Sequence, residues 1–302
     1  MNDQTTVLVT GADGFVGRHL VPYLAAQGYK VIAASRAMTA FEGQNTVAVP
    51  LPDLAGPVDW QPLLELCDVV VHLAGIAHKF SNDDLYDRVN HQATAALARA
   101  ASRCGTAHLI FVSSIAAQSS SFSDRELSEE DVPAPSNGYG RSKLAAEIAV
   151  RAAGVPFTVL RPVVIYGEGE KGNFATVHRI SRLPIPLPFG ALTARRSVLS
   201  IENLSSAIAA ALTNPRARGE TFIVSDPTPV TVGELIARHR TNLGKPPRLI
   251  AVPERWIKWS LKAIGQGSLW ERIGCDLVAY PRKFLAAGWE PLEPPLNRST
   301  PF

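Results

Sequence analysis

The run Val7-Leu-Val-Thr-Gly-Ala-Asp-Gly-Phe-Val-Gly17 constrains the fold of this chain more than any other stretch. Thr6–Thr10 is β-branched and apolar, as a buried strand requires, and a helical pattern runs from Phe15 to Gln27. Gly11, Gly14 and Gly17 lie between the two. A strand that turns straight into a helix through glycines aims the first backbone N–H groups of the helix at a pocket that a pyrophosphate can enter. The expected fold therefore starts as a βα unit with an anion site at its turn.

The rest of the chain repeats that alternation. Strands are expected at Tyr29–Ala34, around Thr46–Leu51, at Asp68–His72, Leu109–Ser113 and Phe157–Arg161, with helices at Leu85–Cys104 and Tyr139–Ala153. Short β-branched runs alternating with Ala- and Leu-rich helices specify a parallel sheet covered on both faces. The fold class is α/β, a Rossmann-type doubly wound parallel sheet with a smaller, mainly helical C-terminal substrate lobe. Beyond Pro162 the prolines at 184, 186, 188, 246, 247 and 253 break the pattern. The expected division is a dinucleotide-binding domain over 1–166 and a substrate lobe over 167–201 and 227–302. Residues 202–226, a helix at Glu202–Leu212 and a strand at Thr221–Val224, are expected to return to the first domain.

Bulk properties exclude several classes. With 302 residues, 46% apolar and 19% charged, the chain can bury a large core, and its net charge of +3 is spread out apart from Arg195-Arg196. No basic stripe points to nucleic acid. The longest apolar run, 69–77, contains His72 and is far below the roughly 18 to 20 residues of a membrane span. The polar start Met-Asn-Asp-Gln-Thr-Thr lacks the features of a secretory signal, so a cytoplasmic protein is expected. Cys67, Cys104 and Cys275 fit neither a disulfide framework nor a metal spacing, and no metal is expected.

The glycine turn reads Gly-x-x-Gly-x-x-Gly and is followed by His72-Leu-Ala-Gly75, Val112-Ser-Ser114, Tyr139-Gly-Arg-Ser-Lys143, Leu160-Arg-Pro162 and Tyr166-Gly167. In that order these motifs resemble the extended short-chain dehydrogenase/reductase superfamily, the NAD-dependent epimerase/dehydratase family, across nearly the whole chain. The resemblance implies a cofactor surface built from Gly11, Asp13, Gly14, Phe15, Val16, Gly17, Arg36, Asp53, Leu54, Leu73, Ala74, Gly75, Asn90, Tyr139, Lys143 and Pro162. Asp53 would bond the adenine amino group. After the second strand the chain reads Ala34-Ser35-Arg36, without the carboxylate that would bond the ribose hydroxyls of NAD. Arg36 suits a 2′-phosphate, which favours NADP(H) and leaves NAD(H) open.

Tyr139 and Lys143 are four apart on one helix face, so an ammonium is expected to stabilise the phenolate and bring its pKa down from about 10. Ser114 follows 25 residues upstream of Tyr139 and can bond the oxygen on which charge changes. Adjacent serines point to opposite sides of a strand, and the resemblance places the catalytic hydroxyl at Ser114 and not Ser113. It also implies that Lys143 bonds the nicotinamide ribose.

In the substrate lobe the resemblance implies that His78, Asn173 and Arg196, with Ser114, contact a UDP-linked sugar. Leu183-Pro-Ile-Pro-Leu-Pro-Phe-Gly190, followed by Arg-Arg-Ser, is similar to reductases of UDP-4-keto-6-deoxy-N-acetylhexosamines and to UDP-glucose 4-epimerase-like proteins. The expected activity is reduction at C4 with NADPH, with an NAD-retaining 4-epimerase as the alternative and a non-catalytic dinucleotide sensor as a third. Ile115-Ala116 lacks the Asp-Glu pair that a dehydratase uses. A homodimer is expected by the same resemblance.

Overall fold

The computed structural model describes residues 4–37, 41, 45–77, 82–169 and 173–292. Its centre is a seven-stranded parallel sheet. The strands are β1 (Thr6–Thr10), β2 (Lys30–Ser35), β3 (Thr46–Pro50), β4 (Val69–His72), β5 (His108–Val112) and β6 (Phe157–Pro162), completed at the β6 edge by the late segment Glu220–Val224. The spatial order 3-2-1-4-5-6 reverses between β1 and β4, the crevice where doubly wound sheets take their ligands.

Period-two alternation divides the sheet's side chains between two cores. Val7, Val9, Ile110 and Val112 join one cluster with Leu20 and Leu24 of helix α1 (Phe15–Ala26). Leu8, Leu109 and Phe111 join the other with residues from helices α2 (Gln61–Leu64), α4 (Ala93–Arg103) and α5 (Gly138–Ala152). Since both faces are covered, β1, β4 and β5 consist almost wholly of buried residues.

The single helix expected over Leu85–Cys104 is instead three segments: α3 (Asp83–Tyr86), a π-helical stretch at Asp87–Gln92, and α4. The wider turn contains Asn90, which is buried and hydrogen-bonded away from its own helix, a local demand that hydrophobic periodicity does not reveal.

Beyond β7 (Val164–Tyr166) and α6 (Asn173–Ser181), β8 (Arg195–Arg196) and β9 (Val198–Ser200) lead into α7 (Ile201–Thr213), whose Leu204, Ala207 and Ile208 pack in the α1-side core. The strand Glu220–Val224, here β10, then pairs in parallel with β6. After β11 (Val230–Thr231), a separate apolar cluster gathers Leu187, Val232 and Ile236 with Ile257 and Trp270. It involves α8 (Val232–Asn242), α9 (Glu254–Ala263) and α10 (Gly267–Ile273).

Part of the stretch 227–302 expected in the second lobe packs against the sheet. Leu277, Ala279, Phe284 and Trp289 return to the α1-side core, through α11 (Arg282–Ala287). The cause is aromatic: Phe284 stacks on Phe222 at 4.4 Å and on Trp289 at 5.2 Å between ring centroids. Among the described residues no helix is long and apolar enough to cross a membrane.

Because Phe284 is fully buried between two rings, Phe284→Ala should destabilise the whole sheet domain by about 3–5 kcal/mol, read as a lower urea midpoint with a single transition. A separate early transition, with the main midpoint unmoved, would show that α11 is not part of that core.

Candidate functional site

At the sheet reversal, the turns after β1 and β4 touch backbone to backbone. Gly11 has φ of +74°, and a Cβ on it would lie 2.9 Å from Ala74 Cα. A Cβ on Gly17 would lie 2.5 Å from Gly11 O and 2.6 Å from Ala12 Cα. Gly14 caps α1 without a side-chain acceptor, and the first turn of α1 has no acidic residue. Its N–H groups and the positive end of the helix dipole are left for an anion. Gly75 completes the floor: a Cβ there would meet Asn90 Oδ1 at 2.8 Å and Lys143 Nζ at 3.7 Å. These approaches fit a dinucleotide pyrophosphate, which needs bare backbone on both sides of the crevice.

Below the crevice, His72 bridges two layers. Its Nδ1 is 2.7 Å from Thr10 Oγ1 and its Nε2 is 3.0 Å from Thr94 Oγ1. Burial, helped by the charge of Lys143, brings its pKa down to about 3, so it is a neutral strut.

Of the other expected cofactor residues, Leu54 and Ala74 are buried, Asp13, Phe15, Val16 and Leu73 partly so, and Pro162 ends β6. Arg36 follows β2 with an exposed side chain, and no carboxylate of the described residues pairs with it. Asp53 is exposed and uses Oδ1 to accept from Ala55 N at 3.1 Å. Asn90 is used up internally: Oδ1 accepts from Ile76 N, and Nδ2 donates to Ile76 O and to Ser142 Oγ, all within 3.1 Å. It shapes the loop after β4 from inside the protein.

Helix α5 carries the reactive set. Asn137 caps it by accepting from Gly140 N at 2.8 Å, and a side chain on Gly140 would run into the Ala116 carbonyl. The helix start therefore sits directly on the turn Ile115–Ala117, which Ser114 caps by accepting from Ala116 N at 3.2 Å. Ser114 also hydrogen-bonds the Tyr139 phenol, whose ring packs 5.9 Å from that of Tyr86. Lys143 is buried one turn along, and Nζ donates to Val112 O at 2.9 Å and lies 4.8 Å from the Phe111 ring centroid.

The electrostatics differ from the expectation that the lysine lowers the tyrosine. Desolvation raises the Tyr139 pKa above its ordinary 10.0, outweighing the hydrogen bond from Ser114 that lowers it. Burial also brings Lys143 from 10.5 down to about 8, with Glu147 pulling in the opposite direction. Solvent exclusion dominates both groups.

A network that was not anticipated lies beneath them. Glu147, fully buried one turn beyond Lys143, accepts from Ser113 Oγ at 2.6 Å and from Arg161 Nε and Nη2 at 2.9 and 2.6 Å. Arg161 also bonds Gln118, and Arg151 reaches Glu147 at 3.2 Å. Ser113 thus points into the protein and Ser114 towards Tyr139. The i, i+4, i+8 spacing of Tyr139, Lys143 and Glu147 was the available sequence signal.

Of the expected substrate-lobe contacts, Arg196 is the one whose side chain lies among the described residues. Arg196 uses its fork on backbone carbonyls: Nη1 donates to Glu271 O and Cys275 O, and Nη2 to Ser121 O. Burial lowers its pKa to about 10. Its neighbour Arg195 has the exposed side chain. His78 lies outside the described residues, as does the side chain of Asn173, which opens α6.

Comparison with known proteins agrees with this geometry. The model of the NAD dependent epimerase/dehydratase family matches residues 7–225. A UDP-glucose 4-epimerase of Vibrio cholerae is 31% identical over 95% of this chain and 90% of its own length. A ceramide reductase of Caulobacter vibrioides is 29% identical over 98% and 89%. Among solved structures, MoeE5 in complex with UDP-glucose and NAD superposes with a TM-score of 0.74 at 22% identity, covering 97% of this chain and 96% of that one. The UDP-N-acetylglucosamine 4-epimerase from Bacillus cereus gives 0.74 at 20% identity, with 96% and 95% covered.

The lowered pKa of Lys143 has a definite sign in stability. Between about pH 8 and 10.5 the unfolded chain holds a proton at this lysine that the folded chain has released, so its contribution to stability rises with pH across that window. In dinucleotide-stripped protein, urea midpoints of the parent should gain on those of Lys143→Met by up to about 3 kcal/mol from pH 8 to 10.5. A constant difference would mean that Lys143 is not desolvated.

Proposed function

Since this chain belongs to the NAD-dependent epimerase/dehydratase family, we propose that it reduces the C4 ketone of a UDP-linked 6-deoxy-hexosamine, with NADPH as hydride source and Tyr139 as proton donor. The observation that carries this reading is the phenol of Tyr139, hydrogen-bonded by Ser114 and held above its ordinary pKa by burial. A phenol in that state keeps its proton at neutral pH and so enters the reaction as the acid that reduction of a ketone requires, with the hydrogen bond from Ser114 opposing the rise that burial causes.

Gly11, Gly14, Gly17 and the start of α1 would hold the pyrophosphate, Arg36 the 2′-phosphate, and Lys143 the hydroxyls of the nicotinamide ribose. Bound there, the reduced nicotinamide supplies a hydride to the carbonyl carbon. Ser114 donates a hydrogen bond to the carbonyl oxygen as charge builds on it, and Tyr139 delivers the proton. Lys143, near half-ionised around pH 8 on its own, supplies positive charge beside the phenol as the proton leaves. Elimination of water is disfavoured because Ile115 and Ala116, which follow Ser114, offer no carboxyl group.

The UDP moiety rests on the nucleotide-sugar relatives, and the NADPH preference on Arg36, whose guanidinium is exposed and has no carboxylate partner among the described residues. An NAD-retaining UDP-hexose 4-epimerase is the second reading, favoured by the identity to the Vibrio cholerae enzyme.

Tyr139→Phe should lower kcat on a UDP-4-keto sugar by roughly 10²–10⁴-fold while cofactor affinity stays within a few-fold, because the phenol acts on the substrate oxygen. More than a tenth of the parent rate would remove Tyr139 from this role. Arg36→Ala should weaken NADPH binding by about 1.5–3 kcal/mol and leave NADH nearly unchanged. Fluorescence titrations showing equal losses, or mass analysis finding tightly held NAD in the purified protein, would favour the epimerase.

A further inference from the structure

Helix α9 is apolar on two opposite sides. Ile257 and Leu261 face inward, onto the cluster formed with Trp270, Leu187 and Ile236. The other side carries Trp256 and Trp259, 62% and 70% exposed, with Ala263 in the i, i+3, i+7 pattern of a single stripe. The remaining tryptophans, Trp60, Trp270 and Trp289, are buried. Leaving two indoles in water on a ten-residue helix forfeits burial that the adjacent core could have provided.

The charges beside the stripe are of one sign. Arg255, Lys258 and Lys262, all exposed, form a second i, i+3, i+7 row along its edge, in which the ammonium of Lys258 lies 5.8 Å from the centroid of the Trp270 ring. The one carboxylate of the helix, Glu254, is engaged by the N–H and hydroxyl of Thr193. A tryptophan stripe flanked by a cationic row is the composition that lies in the headgroup layer of an anionic bilayer, indoles at the acyl boundary and ammonium groups among the phosphates.

From this juxtaposition we propose that α9 docks the enzyme on an anionic membrane surface, with Trp256 and Trp259 inserted at the interface and Arg255 and Lys262 bound to lipid phosphates. The cationic row argues against a second copy of the chain as the occupant, because a two-fold contact through this face would set like charges against each other. The proposal is independent of which sugar the enzyme reduces and of the reductase reading itself.

The test uses the full chain and vesicles of phosphatidylcholine alone or mixed in equal parts with phosphatidylglycerol. The protein should sediment with the anionic vesicles only, release on addition of salt, and shift its tryptophan emission to the blue, a change that only Trp256 and Trp259 are exposed enough to report. Arg255→Glu with Lys262→Glu should lower the partition coefficient by roughly 25-fold or more, since each cation near such a surface is worth about fivefold. Trp256→Ser with Trp259→Ser should lower it about tenfold or more and abolish the blue shift. All four side chains are exposed, so turnover of soluble substrate and the urea midpoint should stay at parent values in both variants. Absence of binding to anionic vesicles would overturn the proposal. So would a concentration-dependent dimer in the ultracentrifuge that the tryptophan substitutions dissolve while vesicle binding stays undetectable.

Discussion

The buried pair of Glu147 and Arg161 is the interaction on which the rest of the site depends. It joins three elements: Glu147 belongs to α5, Arg161 to β6, and Ser113, which donates to the same carboxylate, to the end of β5. Removing two charges from water is costly, and the pair offsets that cost by using both carboxylate oxygens and three guanidinium nitrogens. Breaking a buried pair by deleting one partner typically costs about 3–5 kcal/mol, because an uncompensated charge remains. Such a clamp sets the rotation of α5 about its axis, and thereby the position of Tyr139 and Lys143 two turns and one turn earlier.

The same clamp sets the electrostatics. Lys143 is far enough inside to lose most of its affinity for a proton, yet Glu147 one turn away keeps its pKa from falling further. Tyr139 is shielded from water to a degree that its hydrogen bond from Ser114 does not offset. A phenol that stays protonated and an amine that titrates near pH 8 both follow chiefly from burial. His72 beneath them is neutral for the same reason and serves only to tie β1, β4 and α4 together.

The family relationship and the geometry support each other at different levels. Within the matched residues 7–225, the close approaches at Gly11, Gly14, Gly17 and Gly75 give a physical reason for glycine at each place: a Cβ would meet backbone atoms or the Asn90 side chain. Arg196 is tied to three carbonyls, α11 returns to the first core, and α9 presents tryptophans to solvent.

The order of strands and helices, the glycine turn and the pairing of Tyr139 with Lys143 were legible in the sequence, because each rests on spacing between residues close together in the chain. Periodicity of 2 or 3.6 and the steric freedom of glycine are local properties, and they survive any tertiary context. What the tertiary structure decided is what distant partners decide. Asn90 turns inward because Ile76 and Ser142 satisfy it, Arg196 is spent on carbonyls of Ser121, Glu271 and Cys275, and Phe284 stacks on a strand more than sixty residues earlier. The sign of the Tyr139 shift belongs to the same group. The sequence places an ammonium four residues from the phenol, but only packing determines how much water is excluded from both, and here desolvation outweighs the lowering hydrogen bond from Ser114.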